Sequence, residues 1–202
     1  FALNNVPVVG LTATPYSKGL GKFYPEIQGP LFETVVVGAT ISELIQDKFL
    51  VDVDIYAPDA YQPDLSQVRI VAGDYDEREL GVAVDQPKLI GDIVAHWQRL
   101  GRGKPTIVFA TNIAHSKHIV AQFVAAGVAA EHVDYLTSDE DRAAILDRVR
   151  RHETTILSNA AMLAEGLDIP QLEVMILARP TKSLIRYIQQ AGRILRPYDG
   201  KV

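Results

Sequence analysis

The stretch Thr106-Ile107-Val108-Phe109-Ala110-Thr111-Asn112 decides the fold. A run of strand-forming residues follows the turn Gly101-Arg102-Gly103-Lys104-Pro105 and leads into a helix expected from about Ile113 to Ala126. The unit recurs downstream. Strand Val133 to Leu136 precedes helix Asp139 to Arg151 behind the cap Ser138, strand Thr155 to Ser158 precedes a short helix near Met162, and strand Leu172 to Ala178 precedes a helix from about Lys182 to Leu195. Just upstream, Leu89, Ile90, Ile93, Val94, Trp97 and Leu100 share one helical face, with Trp97 expected in the core. Strands and helices alternating at this spacing imply an α/β fold, with a mainly parallel sheet and helices on both faces. Ligands of such sheets gather at the carboxyl ends of the strands.

Further toward the N-terminus, Val6 to Leu11 reads as a buried-type strand and Val51 to Tyr56 as an alternating one with Asp52 and Asp54 on one face. Between them Thr40-Ile41-Ser42-Glu43 has the spacing of a capping box and opens a helix to about Lys48. Residues 58–86 hold Pro58, Pro63 and the acidic run Asp74-Tyr75-Asp76-Glu77 without a sustained period, so a surface excursion with at most a short helix is expected.

Composition narrows the function classes. The chain has 202 residues, 48% hydrophobic and 22% charged, which excludes disorder. Its 20 Lys and Arg against 25 Asp and Glu leave a formal charge of −5, so any nucleic-acid contact must be local. Without cysteine there is no disulfide scaffold, cysteine nucleophile or thiolate metal site, and the five histidines show no ligand-type pairing, so no metal site is expected. No apolar run approaches the ~20 residues of a membrane span, and no membrane partner is expected. The start at Phe1, without an initiator Met, and the end at Val202 suggest a piece of a longer protein.

In the last expected helix Leu184, Ile188, Ala191 and Leu195 fall within roughly 60° of one another, the stripe of a helix packed on a sheet. Gln189, Arg193 and Arg196 form a second stripe well away from it, and Gly192 interrupts the helix. Such a stripe is either a solvated polar face or a phosphate site, because guanidinium groups offer fork-shaped donors that stay charged.

Gln189-Gln190-Ala191-Gly192-Arg193-Ile194-Leu195-Arg196 has the form Q-x-x-G-R-x-x-R and resembles motif VI of superfamily 2 helicases and translocases. Glu165-Gly166-Leu167-Asp168-Ile169-Pro170 resembles motif V, Gly10-Leu11-Thr12-Ala13-Thr14-Pro15 resembles motif III, and Thr106 to Asn112 fits motif IV. The likeness is to phage and prophage DEAD/DEAH-type helicases, with kinship to the excision-repair helicase and type I restriction motors; Ala178-Arg179-Pro180-Thr181-Lys182-Ser183-Leu184 also resembles the phage-type group.

The resemblance implies a P-loop NTPase-type architecture with two RecA-like domains and ATP in the cleft between them. Residues 1–15 would then end domain 1 with motif III, 16–57 would link into domain 2, 58–86 would be the surface excursion, and 87–202 would be RecA-like domain 2. Arg193 and Arg196 would be arginine fingers, Gln189 would position the phosphate or water, Gly192 and Gly166 would allow close approach, and Asp168 would meet the ribose or hold motif VI. Thr12 and Thr14 would couple nucleotide state to grip on nucleic acid. Thr111 and Asn112, with Thr137 and Ser138, would contact its backbone, although helix capping explains Thr137 and Ser138 equally well. Ala160 and Ala161 stand where many relatives have Thr and Asp, a departure that weakens any motif V phosphate contact.

Two tempting motifs fail. Gly103-Lys104 is followed by Pro105 and a strand, unlike a Walker A loop, and Asp139-Glu140-Asp141-Arg142 opens a helix where an acidic box would end a strand. The expected partners are therefore domain 1 of the same polypeptide and DNA, with RNA left open, and the expected cofactors are ATP and Mg²⁺ held mainly by domain 1. The piece is expected to be monomeric, cytoplasmic and inactive in ATP hydrolysis by itself. Rival readings are a RecA-like nucleic-acid-binding or scaffold module without motor activity, and an unrelated doubly wound domain that binds a small phosphate ligand.

Overall fold

The structure is a computed structural model that describes residues 9–12, 14, 23–24, 29–30, 32, 34–57, 62–160 and 169–201. Strands β1 (Phe23–Tyr24) and β2 (Gly29–Pro30) pair antiparallel and precede helix α1 (Ile41–Gln46). The short strands β3 (Ile70–Val71) and β4 (Asp74–Tyr75) form a second antiparallel pair, followed by helices α2 (Glu77–Val84) and α3 (Pro87–Leu100). Then come β5 (Thr106–Ala110), α4 (Ile113–Ala125), β6 (Ala130–Val133), α5 (Asp139–Arg150), β7 (Ile156–Ala160), β8 (Val174–Leu177) and α6 (Leu184–Ala191).

The last four strands make one parallel sheet in the order β6-β7-β5-β8, with Thr106 opposite both Ile156 and Val174. Strand side chains alternate between faces, and the core divides accordingly. Ile107, Phe109, Val133 and Leu157 pack with Ile145 and Val149 of α5 and with Ile169, Leu172 and Ile194. Val108, Ala110 and Ile156 pack with Ile90, Val94 and Trp97 of α3 and with Ile119 and Phe123 of α4. Each fully buried side chain of this size stabilises the fold by about 1.5–3 kcal/mol. Trp97 meets Phe123 edge-on at 5.4 Å, and its indole N–H donates to the Thr106 hydroxyl at 2.7 Å, so the largest core side chain buries no unsatisfied polar group.

The helices begin where the local chemistry places them. Thr40 and Glu43 form the reciprocal capping box of α1, the Asn112 side chain accepts from His115 N–H at 2.9 Å, and Ser138 accepts from Asp141 N–H at 3.0 Å. Asp139, Glu140 and Asp141 lie in the first turn of α5, with Arg148 and Arg150 in its last, as the helix dipole favours. The Gly101–Pro105 segment is a turn, with Gly103 at φ +80° and Lys104 paired to Glu173 at 2.8 Å.

Several elements differ from expectation. Of the strand expected over Val6 to Leu11, residues 6–8 lie outside the described residues and 9–11 form none, and Val51 to Tyr56 forms none either, because among the described residues no neighbouring strand takes their backbone hydrogen bonds; Leu11 and Ile55 are exposed. Strand β6 stops at Val133, since the next residue, Asp134, turns its carboxylate onto the N–H groups of Leu136 and Thr137 and leaves Tyr135 and Leu136 exposed. Residues 58–86 hold the short helix that the sequence allows, α2, but it does not stay at the surface: Leu80 and Val84 are buried, and Asp76 caps it through the N–H groups of Arg78 and Glu79. The expected helix near Met162 lies outside the described residues. Finally, α6 ends at Ala191, four residues early, and the chain tightens into i→i+3 bonds from Arg193 N–H to Gln190 O and from Ile194 N–H to Ala191 O.

Candidate functional site

Because the four sheet strands are parallel, the segments that leave β5, β6 and β8 lie along one edge of the sheet. Thr111 and Asn112 leave β5, Thr137 and Ser138 follow β6, and Arg179 to Ser183 follow β8. Thr111 is fully buried. Its N–H reaches His115 Nδ1 at 3.4 Å, and burial pushes the His115 imidazole toward its neutral form, which suits an acceptor. Asn112 is half-buried and its amide packs on Gly81 of α2, where an added β-carbon would make that amide shift. The Thr137 hydroxyl is engaged by Asp134, whereas Ser138 is exposed. Behind this edge runs a buried chain of hydrogen bonds from Ser158 through Ser116 to His132 Nδ1 at 2.7 Å, and from His132 Nε2 to Asp134 at 2.8 Å. Burial opposes the charge on Asp134, but the bonds from His132, Leu136 and Thr137 outweigh it and hold its carboxyl below the ordinary range.

The second group lies at the far end of α6. Eight helical residues span about 12 Å, so Gln189 to Arg196 stand well away from the Ser183 end. Gln189 is exposed, while Gly192, Arg193 and Arg196 are half-buried. Ile194 and Leu195 are buried, and Leu195 O accepts from Val51 N–H at 2.9 Å, so core contacts and a backbone bond pin the turn that carries the arginines. A side chain at Gly192 would crowd Ile188 O at 3.3 Å. The expected packed stripe is not seen as such. Leu184 is 57% exposed, and Gln190 is the buried residue of α6. Gln190 faces inward, while Arg186 is partly exposed and turns toward Asp74.

The start of α6 is engaged by a set of contacts invisible to local sequence reading. Asp74, in the hairpin before α2, accepts from the Thr181 hydroxyl at 2.9 Å and from Lys182 N–H at 2.8 Å, and lies 3.2 Å from the Arg186 guanidinium. Burial disfavours its charge, yet these partners and Tyr75 N–H prevail and lower its pKa. Next to it Arg179 is only 7% exposed, with Glu77 at 3.8 Å, and burial lowers its pKa. The one signal that could have marked this segment is Asp76-x-x-Glu79, which has the spacing of a helix start.

Of the remaining expected positions, Gly166 and Asp168 lie outside the described residues, as does Ala161; Ala160 is buried at the end of β7. Thr14 is buried, and its N–H donates to the exposed Thr12 hydroxyl at 3.1 Å. Among the described residues no group of three His, Asp or Glu is arranged to hold a metal ion.

Residues 85–198 match the helicase conserved C-terminal domain. The "51.5 kDa protein" of Lactococcus phage (isolate 7-9) is 31% identical over 192 residues, covering 95% of this chain and 41% of that protein. The Saccharomyces cerevisiae protein assigned as ATP-dependent helicase IRC3 is 28% identical over 207 residues, covering 99% of this chain and 29% of that one. A solved fragment assigned to the HsdR subunit of a type I restriction enzyme from Vibrio vulnificus YJ016 shares the fold, with a TM-score of 0.51 at 20% identity over 61% of this chain and 26% of that chain. This chain thus spans less than half the length of the curated relatives it matches. With the domain match taking in the sheet, its helices and the turn after α6, the chain belongs to the helicase conserved C-terminal domain family.

Proposed function

We propose that this chain is the second motor domain of an ATP-dependent DNA helicase or translocase. Arg193 and Arg196 act as arginine fingers on ATP bound in a cleft with a preceding RecA-like domain. The observation that carries the reading is the turn after α6, where buried Ile194 and Leu195 separate two half-buried arginines. Guanidinium groups fixed by their neighbours' burial need little reorganisation to meet charge that develops on a phosphoryl group. The donor set fits a polyphosphate, since residues 189–196 contain two arginines and two glutamines and no carboxylate. Bound ATP supplies the phosphoanhydride whose hydrolysis drives the motor, with Mg²⁺ held mainly by the preceding domain. Arg193 and Arg196 stabilise charge on the transferred group, and Gln189 orients the phosphate or the attacking water. Asp168 and Gly166 complete the nucleotide side, and Thr12 and Thr14 link nucleotide state to grip. Asn112, Thr137 and Ser138, at the helix starts beside the strand ends, hold DNA by its phosphates. This suits a chain with net charge −5, because helix N-termini and backbone amides bind phosphate without a basic surface.

The test is ATP hydrolysis by the full-length protein carrying Arg193→Ala. A finger is worth about 10³–10⁵ in rate, so DNA-stimulated turnover should fall at least about a thousandfold. Turnover near wild type would sink the assignment. DNA binding without any ATP hydrolysis by the intact full-length protein would favour a nucleic-acid-binding module.

A further inference from the structure

Ile194 and Leu195 hold the turn after α6 at one point, and the roll and tilt of the helix that leads into it still depend on its other end. The N-terminal end of α6 has an unusual anchor. Its backbone donors there are not left for an external anion, because a carboxylate from 108 residues away already occupies the place: Asp74 takes the Lys182 N–H. The same carboxylate takes the Thr181 hydroxyl, whose oxygen in turn accepts from Ser183 N–H at 3.0 Å. Ser183 then caps α6 by accepting from Arg186 N–H at 3.3 Å. Arg186 closes the circuit by pairing with Asp74 at 3.2 Å, and Lys182 Nζ lies 5.3 Å over the Tyr75 ring. These contacts bind two successive pieces of chain, α6 and its approach, to a single carboxylate whose side chain is 14% exposed.

We propose that Asp74 is a positioning residue for the motor: its clasp on Thr181, Lys182 and Arg186 sets the roll and axial position of α6, and thereby the placement of Gln189 and Arg193 at the opposite end. The inference rests on the finger reading of the arginines. Asp74 itself touches no reacting group. Its effect passes along one helix of eight residues, short enough to move as a rigid rod, and on to Arg193 through the tight turn bonded to its last residues. Displacements near 1 Å at a catalytic group cost up to about 10² in rate.

The experiment uses the full-length protein with Asp74→Ala, Asp74→Asn, Arg193→Ala and the double variant Asp74→Ala/Arg193→Ala. Asp74→Ala is expected to lower kcat of DNA-stimulated ATP hydrolysis about tenfold to a hundredfold, with KM for ATP within about twofold, because placement and not ground-state binding is lost. Asp74→Asn keeps an acceptor for Lys182 and Thr181 and should restore at least half of the lost rate. In the Arg193→Ala background the Asp74 change should cost clearly less than it does alone, because only the placement of Gln189 is left to lose. A wild-type kcat in Asp74→Ala, a loss confined to KM, an Asn variant as slow as the Ala variant, or a full additional loss in the double variant would each overturn the proposal. Hydrogen exchange separates its failure from that of the finger reading. In Asp74→Ala the amides of 184–191 should exchange at least about tenfold faster while those of β5 and β7 keep their protection, and unchanged protection in α6 refutes the clasp whatever the kinetics. Arg193→Ala at wild-type rate removes the finger reading and the catalytic half of the proposal, and leaves the exchange result to decide the anchoring.

Discussion

Asn112 caps α4 and, in the proposed function, also contacts DNA phosphate; substitution separates the two roles. Asn112→Ala removes the acceptor for His115 N–H and should cost about 1 kcal/mol. For a chain of this size each kcal/mol moves Tm by roughly 2–4 °C. Asn112→Asp keeps the acceptor and adds a charge that the helix N-terminus favours by about 0.3–1 kcal/mol, so its Tm should match or slightly exceed wild type. Toward DNA the order inverts. A new carboxylate near 4 Å from a phosphate costs about 1 kcal/mol in water, or about fivefold in affinity, and the loss should shrink as added salt screens it. Thermal melting of this chain and anisotropy of a labelled oligonucleotide with the full-length protein read the two effects separately. If Asn112→Asp binds at wild-type affinity in low salt, α4 does not point its start at DNA. If Asn112→Ala melts with wild type, the cap argument fails.

Phe123→Ala should destabilise the chain by about 3–5 kcal/mol, because the ring is fully buried and meets Trp97 edge-on; a urea-unfolding loss below about 1 kcal/mol would contradict that packing. Lys201 donates to the carbonyls of Pro170 and Leu172, and burial lowers its pKa to about 8, so its ε-methylene NMR shifts should titrate near pH 8, and a midpoint above about 10 would refute the burial. Asp74, Glu131 and Asp134 all have lowered carboxyl pKa values in the fold. Their stabilisation is complete above the unfolded value of about 4 and is lost as pH falls through the lower folded values. The urea midpoint should therefore drop below about pH 4, and Asp134→Asn should be less stable at pH 7 with a shallower acid dependence; an identical pH profile would discount Asp134.

The sheet and its caps were legible because their signals are local. Thr106 to Ala110 is bounded by a turn and a capping Asn, and no distant contact is needed to place it. The arginines were legible through a motif, but their setting was not. The apolar period that begins at Leu184 continues through Leu195 on paper, whereas Ile194 and Leu195 leave the helix to join the core and to meet Val51. Periodicity cannot register a helix that stops to satisfy packing from another part of the chain. The same limit hid the Asp74 clasp, whose partners are 107 and 108 residues away, and it made Val51 to Tyr56 look like a strand, since alternation reveals amphipathicity but not whether a neighbour exists.

Trp97 gives the molecule a built-in optical probe. It is the only tryptophan in these 202 residues, and its indole is fixed at once to β5 through Thr106 and to α4 through Phe123. Emission from that ring therefore reports the seam between a sheet strand and two helices, and a slip of α3 along that seam would change its colour and intensity without any label attached.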